Sequence, residues 1–122
     1  MKTTFTILCE NTAATSLKIM GEHGLSILIE RGEEAILMDT GQGMTISNNL
    51  DTLKKDISGL KAIVLSHGHL DHTGGLMAVL DRVDKVPLYA HPDAFKPRYA
   101  QLPSAREKKV SIGIPFERSQ LE

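Results

Sequence analysis

The sequence predicts an α/β domain. Three observations carry that reading. Short runs rich in branched apolar residues recur along the chain, as in Lys61-Ala62-Ile63-Val64-Leu65. Between them lie segments with apolar residues at helical spacing, such as Ile46, Leu50, Leu53 and Ile57. The strand-like runs are apolar at nearly every position, which suits a sheet covered on both faces.

Thr4 to Cys9 reads as the first strand, and the polar, glycine-bounded stretch Glu10 to Gly24 as a loop. Leu25 to Ile29 and Ala35 to Met38 are strands joined by the turn Arg31-Gly32-Glu33, which makes a hairpin. Met44 to Ile57 is expected to be a helix with one buried stripe. Lys61 to Leu65 is a strand that runs straight into a histidine-rich loop. Thr73 is placed to cap a helix whose stripe is Leu76, Val79, Leu80 and Val83. Val86 to Ala90 is a further short strand, ended by His91-Pro92. Beyond Phe95 the periodicity weakens. Val110 to Pro115 is expected to be extended, and Ser119 to Glu122 to begin a helix.

A chain of 122 residues is naturally one domain. The net charge of −1 gives no reason to expect nucleic acid or an anionic membrane as partner. With no tryptophan, two tyrosines and three phenylalanines, a base-stacking surface is not expected. The single cysteine, Cys9, cannot form an internal disulfide and reads as a buried strand thiol. Met1 to Phe5 lacks the apolar run of a signal peptide, and no stretch has membrane-spanning length. Cytoplasmic residence is the default expectation.

The chemistry concentrates in His67-Gly68-His69-Leu70-Asp71-His72. Three of the chain's five histidines fall in these six positions, with a carboxylate between them. Imidazole and carboxylate are good ligands for Zn²⁺, Mn²⁺ and Fe²⁺. In extended backbone His67 and His69 project to the same side and reach one metal. Asp71 and His72 follow where the chain turns, and serve either the same ion or a second one next door. Two ions about 3.5–4 Å apart stabilise an anionic transition state, and a bound water's pKa falls to about 7. The residues alone therefore point to a metal site suited to hydrolysis, with one ion or two. The competing account is a polar loop with incidental histidines.

Other stretches carry weaker signals, each with a plain structural account. Gly41-Gln42-Gly43 follows a strand, but Ile46 breaks the G-x-G-x-x-G pattern and no G-K-[ST] is present. The basic residues from Lys96 to Lys109 either meet a substrate phosphate or form a solvated surface. His91 fits an ordinary loop hydrogen bond, and His23 either shapes a pocket or lies in a solvated turn.

Ser66-His67-Gly68-His69-Leu70-Asp71-His72-Thr73-Gly74-Gly75-Leu76 resembles the HxHxDH loop of the metallo-β-lactamase superfamily. Asp39-Thr40-Gly41 resembles that superfamily's DTG element. Glu22-His23-Gly24-Leu25-Ser26 and Ile112-Gly113-Ile114-Pro115 are similar to the branch of metal-dependent hydrolases that includes the 7,8-dihydropterin-6-yl-methyl-4-(β-D-ribofuranosyl)aminobenzene 5′-phosphate synthases. The resemblance implies an αββα sandwich, of which residues 1–122 would form one domain incomplete at the C-terminus, the N-terminal half. It implies a hydrolase or transferase using a metal-bound hydroxide on a small molecule, phosphorylated and pterin-like in that branch. Two divalent ions, zinc first and manganese or iron as alternatives, are its implied cofactors. His67 and His69 would bind the first ion, and Asp71 and His72 the second. Asp71 would also orient the water or pass protons, and Asp39 would fix a ligand histidine; a turn-capping Asp39 is the plain alternative.

The resemblance implies that the family's second half supplies further ligands, expected to lie beyond these 122 residues. The strands are apolar on both faces, yet only about two helices are available to cover them, so a large apolar surface would stay open. Either a missing C-terminal half or a second copy is expected to cover it. The alternative function is a non-catalytic half-domain or pairing subunit that binds metal weakly.

Overall fold

The computed structural model describes residues 1–13, 16–101 and 109–122. Strands β1 (Thr3–Cys9), β2 (Ser26–Arg31) and β3 (Glu34–Met38) form an antiparallel meander. β4 (Ala62–Val64) and β5 (Leu88–Tyr89) join it in parallel, giving one mixed sheet in the order β1-β2-β3-β4-β5. The expected hairpin is present: Arg31 pairs with Glu34 across Gly32-Glu33, and Gly32 takes φ 62. That left-handed backbone is open to glycine without steric cost.

Register decides what each sheet face presents, because alternate residues point to opposite sides. Leu28, Leu37, Ile63 and Leu88 line up across the sheet, and the first three are 0–1% exposed. Helices α1 (Ile46–Thr52) and α3 (Leu76–Leu80) cover this face with Ile46, Leu50, Leu76 and Val79, which join Leu8, Leu28, Leu37 and Ile63 in one core. Truncating one of these leucines to alanine typically costs about 2–5 kcal/mol.

The opposite face carries two apolar rows. One is Phe5, Ile29, Ile36 and Ala62; the other is Ile7, Ile27, Met38, Val64 and Tyr89. This face is open: Phe5 is 63%, Ile7 49% and Tyr89 60% exposed. The sheet is thus apolar on both sides and covered by this chain's helices on one.

Several elements differ from expectation. The helix expected over Met44 to Ile57 is confined to Ile46–Thr52. Leu53 ends it and Lys54 turns the chain back at φ 54. Ile57 is still buried, at 2% exposure, but from a loop. Thr73 does not cap the following helix. It closes a short helix of its own, α2 (Leu70–Thr73), and its hydroxyl donates back to the His69 carbonyl. α3 starts after Gly75 with no side-chain cap; the Gly75 N–H is taken by the Gly41 carbonyl and Thr40 Oγ1.

The strand expected over Val86 to Ala90 pairs only at Leu88–Tyr89. That expected over Val110 to Pro115 pairs only at β7 (Val110–Ser111), with β6 (Tyr99–Ala100). Pro92–Phe95 and Arg118–Gln120 are 3₁₀ turns, the second standing where a longer helix start was expected. Arg106 and Lys108 of the basic segment lie outside the described residues. Among the described residues no helix is long and apolar enough to cross a membrane.

Candidate metal centre

Ligands of open α/β sheets sit beyond the carboxyl ends of parallel strands. Here β3 and β4 run parallel with Met38 opposite Val64, so the residues that follow them emerge side by side. Asp39 follows β3, and its N–H donates to the Val64 carbonyl at 2.9 Å. It is fully buried and adopts φ 57, a left-handed conformation that Asp tolerates better than most residues.

The Asp39 carboxylate organises the histidines. Its Oδ1 accepts from the Ser66 N–H at 2.8 Å. Its Oδ2 accepts from Ser66 Oγ at 2.6 Å and from His72 Nδ1 at 2.8 Å. Ser66 Oγ spends its proton on Asp39 and so accepts from His67 Nδ1, 2.8 Å away. This network assigns the proton of both His67 and His72 to Nδ1 and leaves each Nε2 with a free lone pair. Thr40 steadies His72 from below, donating to its carbonyl from N at 2.8 Å and Oγ1 at 3.0 Å.

The rings converge. His67 and His69 centroids are 4.8 Å apart, edge to face, and His67 and His72 are 4.2 Å apart. Ligand atoms of His67, His69 and Asp71 all lie within 4.8 Å of one another, and so do those of Asp39, His67 and His72. Burial, followed by the neighbouring His72 and His69, pushes the His67 pKa down, which favours the neutral imidazole that ligates. Converging imidazole nitrogens with a carboxylate form a donor set that fits a divalent metal.

The four ligand-type residues of the hexapeptide, His67, His69, Asp71 and His72, are therefore brought together with Asp39. The two compact triads, His67–His69–Asp71 and Asp39–His67–His72, share His67. His23 also reaches this place: it lines a shallow cavity with Gln42, His69, Leu70, Asp71 and Ile112, and its Nε2 is 3.2 Å from Asp71 Oδ2. His91 is in neither triad; its Nδ1 accepts from the Asp93 N–H at 3.1 Å, an ordinary loop hydrogen bond. Lys96 and Arg98 take partners on the Pro92–Phe95 turn, at Asp93.

Sequence reasoning missed Ser66, Thr40 and Glu22 as contributors. Glu22 is nearly buried, and its carboxylate accepts from Gln42 N, Met44 N, Thr45 Oγ1 and Cys9 Sγ at 2.9–3.3 Å. The backbone N–H groups after Gly41 that would cradle a phosphate are thus filled by the protein's own carboxylate. Cys9 is buried as expected, and burial above all pushes its thiol up to about 12. The only local signal for Ser66 was its place beside His67. Glu22 stood in the Glu22-His23-Gly24-Leu25-Ser26 stretch that resembles the branch, but its partners Cys9, Gln42, Met44 and Thr45 are remote in sequence.

The sequence profile described as the Metallo-beta-lactamase superfamily matches residues 20–120. The chain belongs to this superfamily. It is 37% identical over 102 residues to the 7,8-dihydropterin-6-methyl-4-(β-D-ribofuranosyl)-aminobenzene-5′-phosphate synthase of Methanocaldococcus jannaschii, covering 79% of this chain and 35% of that protein. It is 43% identical over 96 residues to an uncharacterised protein of the same organism, covering 77% of this chain and 36% of the relative. The chain therefore spans about a third of the length of these curated relatives. Among solved structures, the Rm3 metallo-β-lactamase matches with a TM-score of 0.50 and 29% identity, over 61% of this chain and 29% of that one. A diphosphatase of the PhnP family matches with a TM-score of 0.54 and 22% identity, over 75% and 43%, a likeness of fold alone.

Proposed function

We propose that this chain carries the histidine-bearing part of a metal-dependent hydrolase or transferase acting on a phosphoryl, acyl or related centre. The observation behind it is the Asp39–Ser66 network, which frees Nε2 of His67 and His72 beside His69 and Asp71. His67 and His69 would hold one ion, and Asp71 and His72 a second. Zinc is the first choice, and manganese or iron suit the same N/O ligands. When bound, such metals lower the pKa of a water to about 7 and so supply a nucleophile at neutral pH. Asp71 would orient a water or pass protons, and Asp39 keeps the His72 ring in register.

The M. jannaschii relative is named for a phosphorylated pterin-containing product. On that ground we assign a small, phosphorylated, pterin-like substrate. Two triads sharing one histidine fall short of three protein ligands for each of two catalytic ions. Further ligands belong, in this reading, to a second body across the open sheet face: more chain of the same protein or a second copy. A cytoplasmic setting suits it, with Cys9 a reduced, buried thiol. Neither nucleic acid nor membrane enters as a partner.

Elemental analysis after dialysis against zinc tests the reading. Metal should be retained by the purified protein and lost in His67→Ala and His72→Ala; unchanged metal content in both would refute it.

A second reading, a non-catalytic pairing subunit that binds metal weakly, is favoured by one observation, the exposure of Phe5, Ile7 and Tyr89 on one face. Light scattering on a size-exclusion column separates the two. A stable monomer that turns over substrate sinks the pairing reading, and an inactive dimer supports it.

A further inference from the structure

We propose that His23 is a positioning residue for Asp71: its Nε2, held against Asp71 Oδ2, favours one orientation of that carboxylate toward the converging histidines. The inference rests on the metal-site reading above and extends it to a residue outside the hexapeptide.

The contact is direct, at 3.2 Å. The His23 side chain is 76% exposed, so packing does not explain its orientation. What holds it is the backbone on either side. Before it, the Glu22 carboxylate is anchored by the four donors of the Gly41–Thr45 loop and Cys9, and the Glu22 N–H donates to the Glu10 carbonyl at 3.1 Å. After it, Gly24 sits at φ 152, and a Cβ there would collide with the Asp71 carbonyl oxygen. The Leu25 N–H then donates to that same carbonyl at 3.3 Å, and the Leu25 carbonyl accepts from the Gly41 N–H at 2.9 Å.

Glu22, Gly24 and Leu25 thus press this segment against the residue whose side chain His23 meets. A solvated turn needs no buried carboxylate and no glycine packed on a ligand's backbone. Asp71 Oδ2 lies between His23 Nε2 and His72 Nε2, the latter 3.4 Å away. Without His23, the Asp71 carboxylate is free to rotate and present either oxygen. A hydrogen bond that orients a ligating carboxylate typically changes metal affinity about 10–100-fold.

The test titrates the purified protein with Zn²⁺ alone and records the visible spectrum of the Co²⁺ form. It compares wild type, His23→Ala, His23→Gln and His67→Ala, with circular dichroism to confirm folding. His23→Ala should weaken Zn²⁺ binding about 10–100-fold and shift the Co²⁺ bands, and His23→Gln, whose amide keeps a donor, should recover most of both. If His23→Ala binds and absorbs like wild type while His67→Ala loses metal, the positioning role is overturned and the metal site stands. Equal losses in His23→Ala and His23→Gln also overturn it, since a donor alone then does not suffice. If His67→Ala binds like wild type, the metal reading itself fails and takes this proposal with it.

Discussion

Asp39 Oδ2 lies 2.8 Å from His72 Nδ1, joining the end of β3 to α2 across a separation of 33 residues. The same oxygen accepts from Ser66 Oγ, and Oδ1 accepts from the Ser66 N–H. One buried carboxylate therefore takes three donors, from the two segments that flank the candidate centre. Such charge-assisted bonds are short and strong, and they set the ring tautomer before any ion arrives.

Asp39→Asn keeps the shape but replaces one acceptor oxygen with a donor. Either His72 Nδ1–H or the Ser66 donors then lose their partner, at a cost of about 1–3 kcal/mol. Urea unfolding should show that loss. Zn²⁺ titration should show affinity about 10–100-fold weaker, because the His72 ring is no longer held.

Glu22→Gln probes the clamp on the Gly41–Thr45 loop. A glutamine amide nitrogen would face at least one of the N–H and O–H donors now satisfied by Glu22. Stability should fall by about 1–3 kcal/mol. An unfolding midpoint equal to that of the wild type would contradict the clamp.

Gly68→Ala tests the close approach beneath the hexapeptide. A Cβ on Gly68 would strike the Ala94 carbonyl oxygen, which is backbone and cannot swing aside. The loop carrying His67 and His69 must then shift. We expect a loss of about 1–3 kcal/mol, as for other overpacked sites, together with reduced zinc retention measured by elemental analysis.

Cys9 should be inert. Its thiol is 1% exposed and, chiefly through burial, pushed up to about 12, so almost no thiolate exists at pH 8. A disulfide-exchange reagent such as DTNB should label nothing in the native protein at pH 8 and one thiol per chain in guanidinium. Rapid native labelling would show that the Glu22 region opens.

Phe5→Lys addresses the open sheet face. Phe5 is 63% exposed, so its loss should change monomer stability by only about ±0.5 kcal/mol. Binding of the dye ANS, or any concentration-dependent mass seen by light scattering, should fall. Unaltered association would place the contact elsewhere.

The strands of the sheet were legible because their signal is local. Leu25 to Ile29 and Ala35 to Met38 are dense in apolar residues and flank a glycine turn, and they pair as expected. Helix ends were less legible. Ile57 looked helical because it shares the spacing of Ile46 and Leu50, but it reaches the core from a loop beyond the turn at Lys54. Thr73 looked like a cap, but its hydroxyl satisfies the His69 carbonyl one turn back. A single-chain pattern records which residues are apolar or polar, and both misreadings depended on what those residues touch.

The sequence by itself determined the donor set and where it stands: three histidines and a carboxylate within six positions, shortly after a buried strand. It also determined that the sheet would be apolar on two faces. Only the tertiary structure decided that Asp39 holds His72 directly and His67 through Ser66, that Glu22 fills the glycine loop, and that His23 stands against Asp71. Metal-ligand chemistry is a property of residue type and survives in the sequence. Orientation arises from contacts between segments far apart along the chain, and these exist only once parallel pairing of β3 with β4 brings Asp39 beside Ser66.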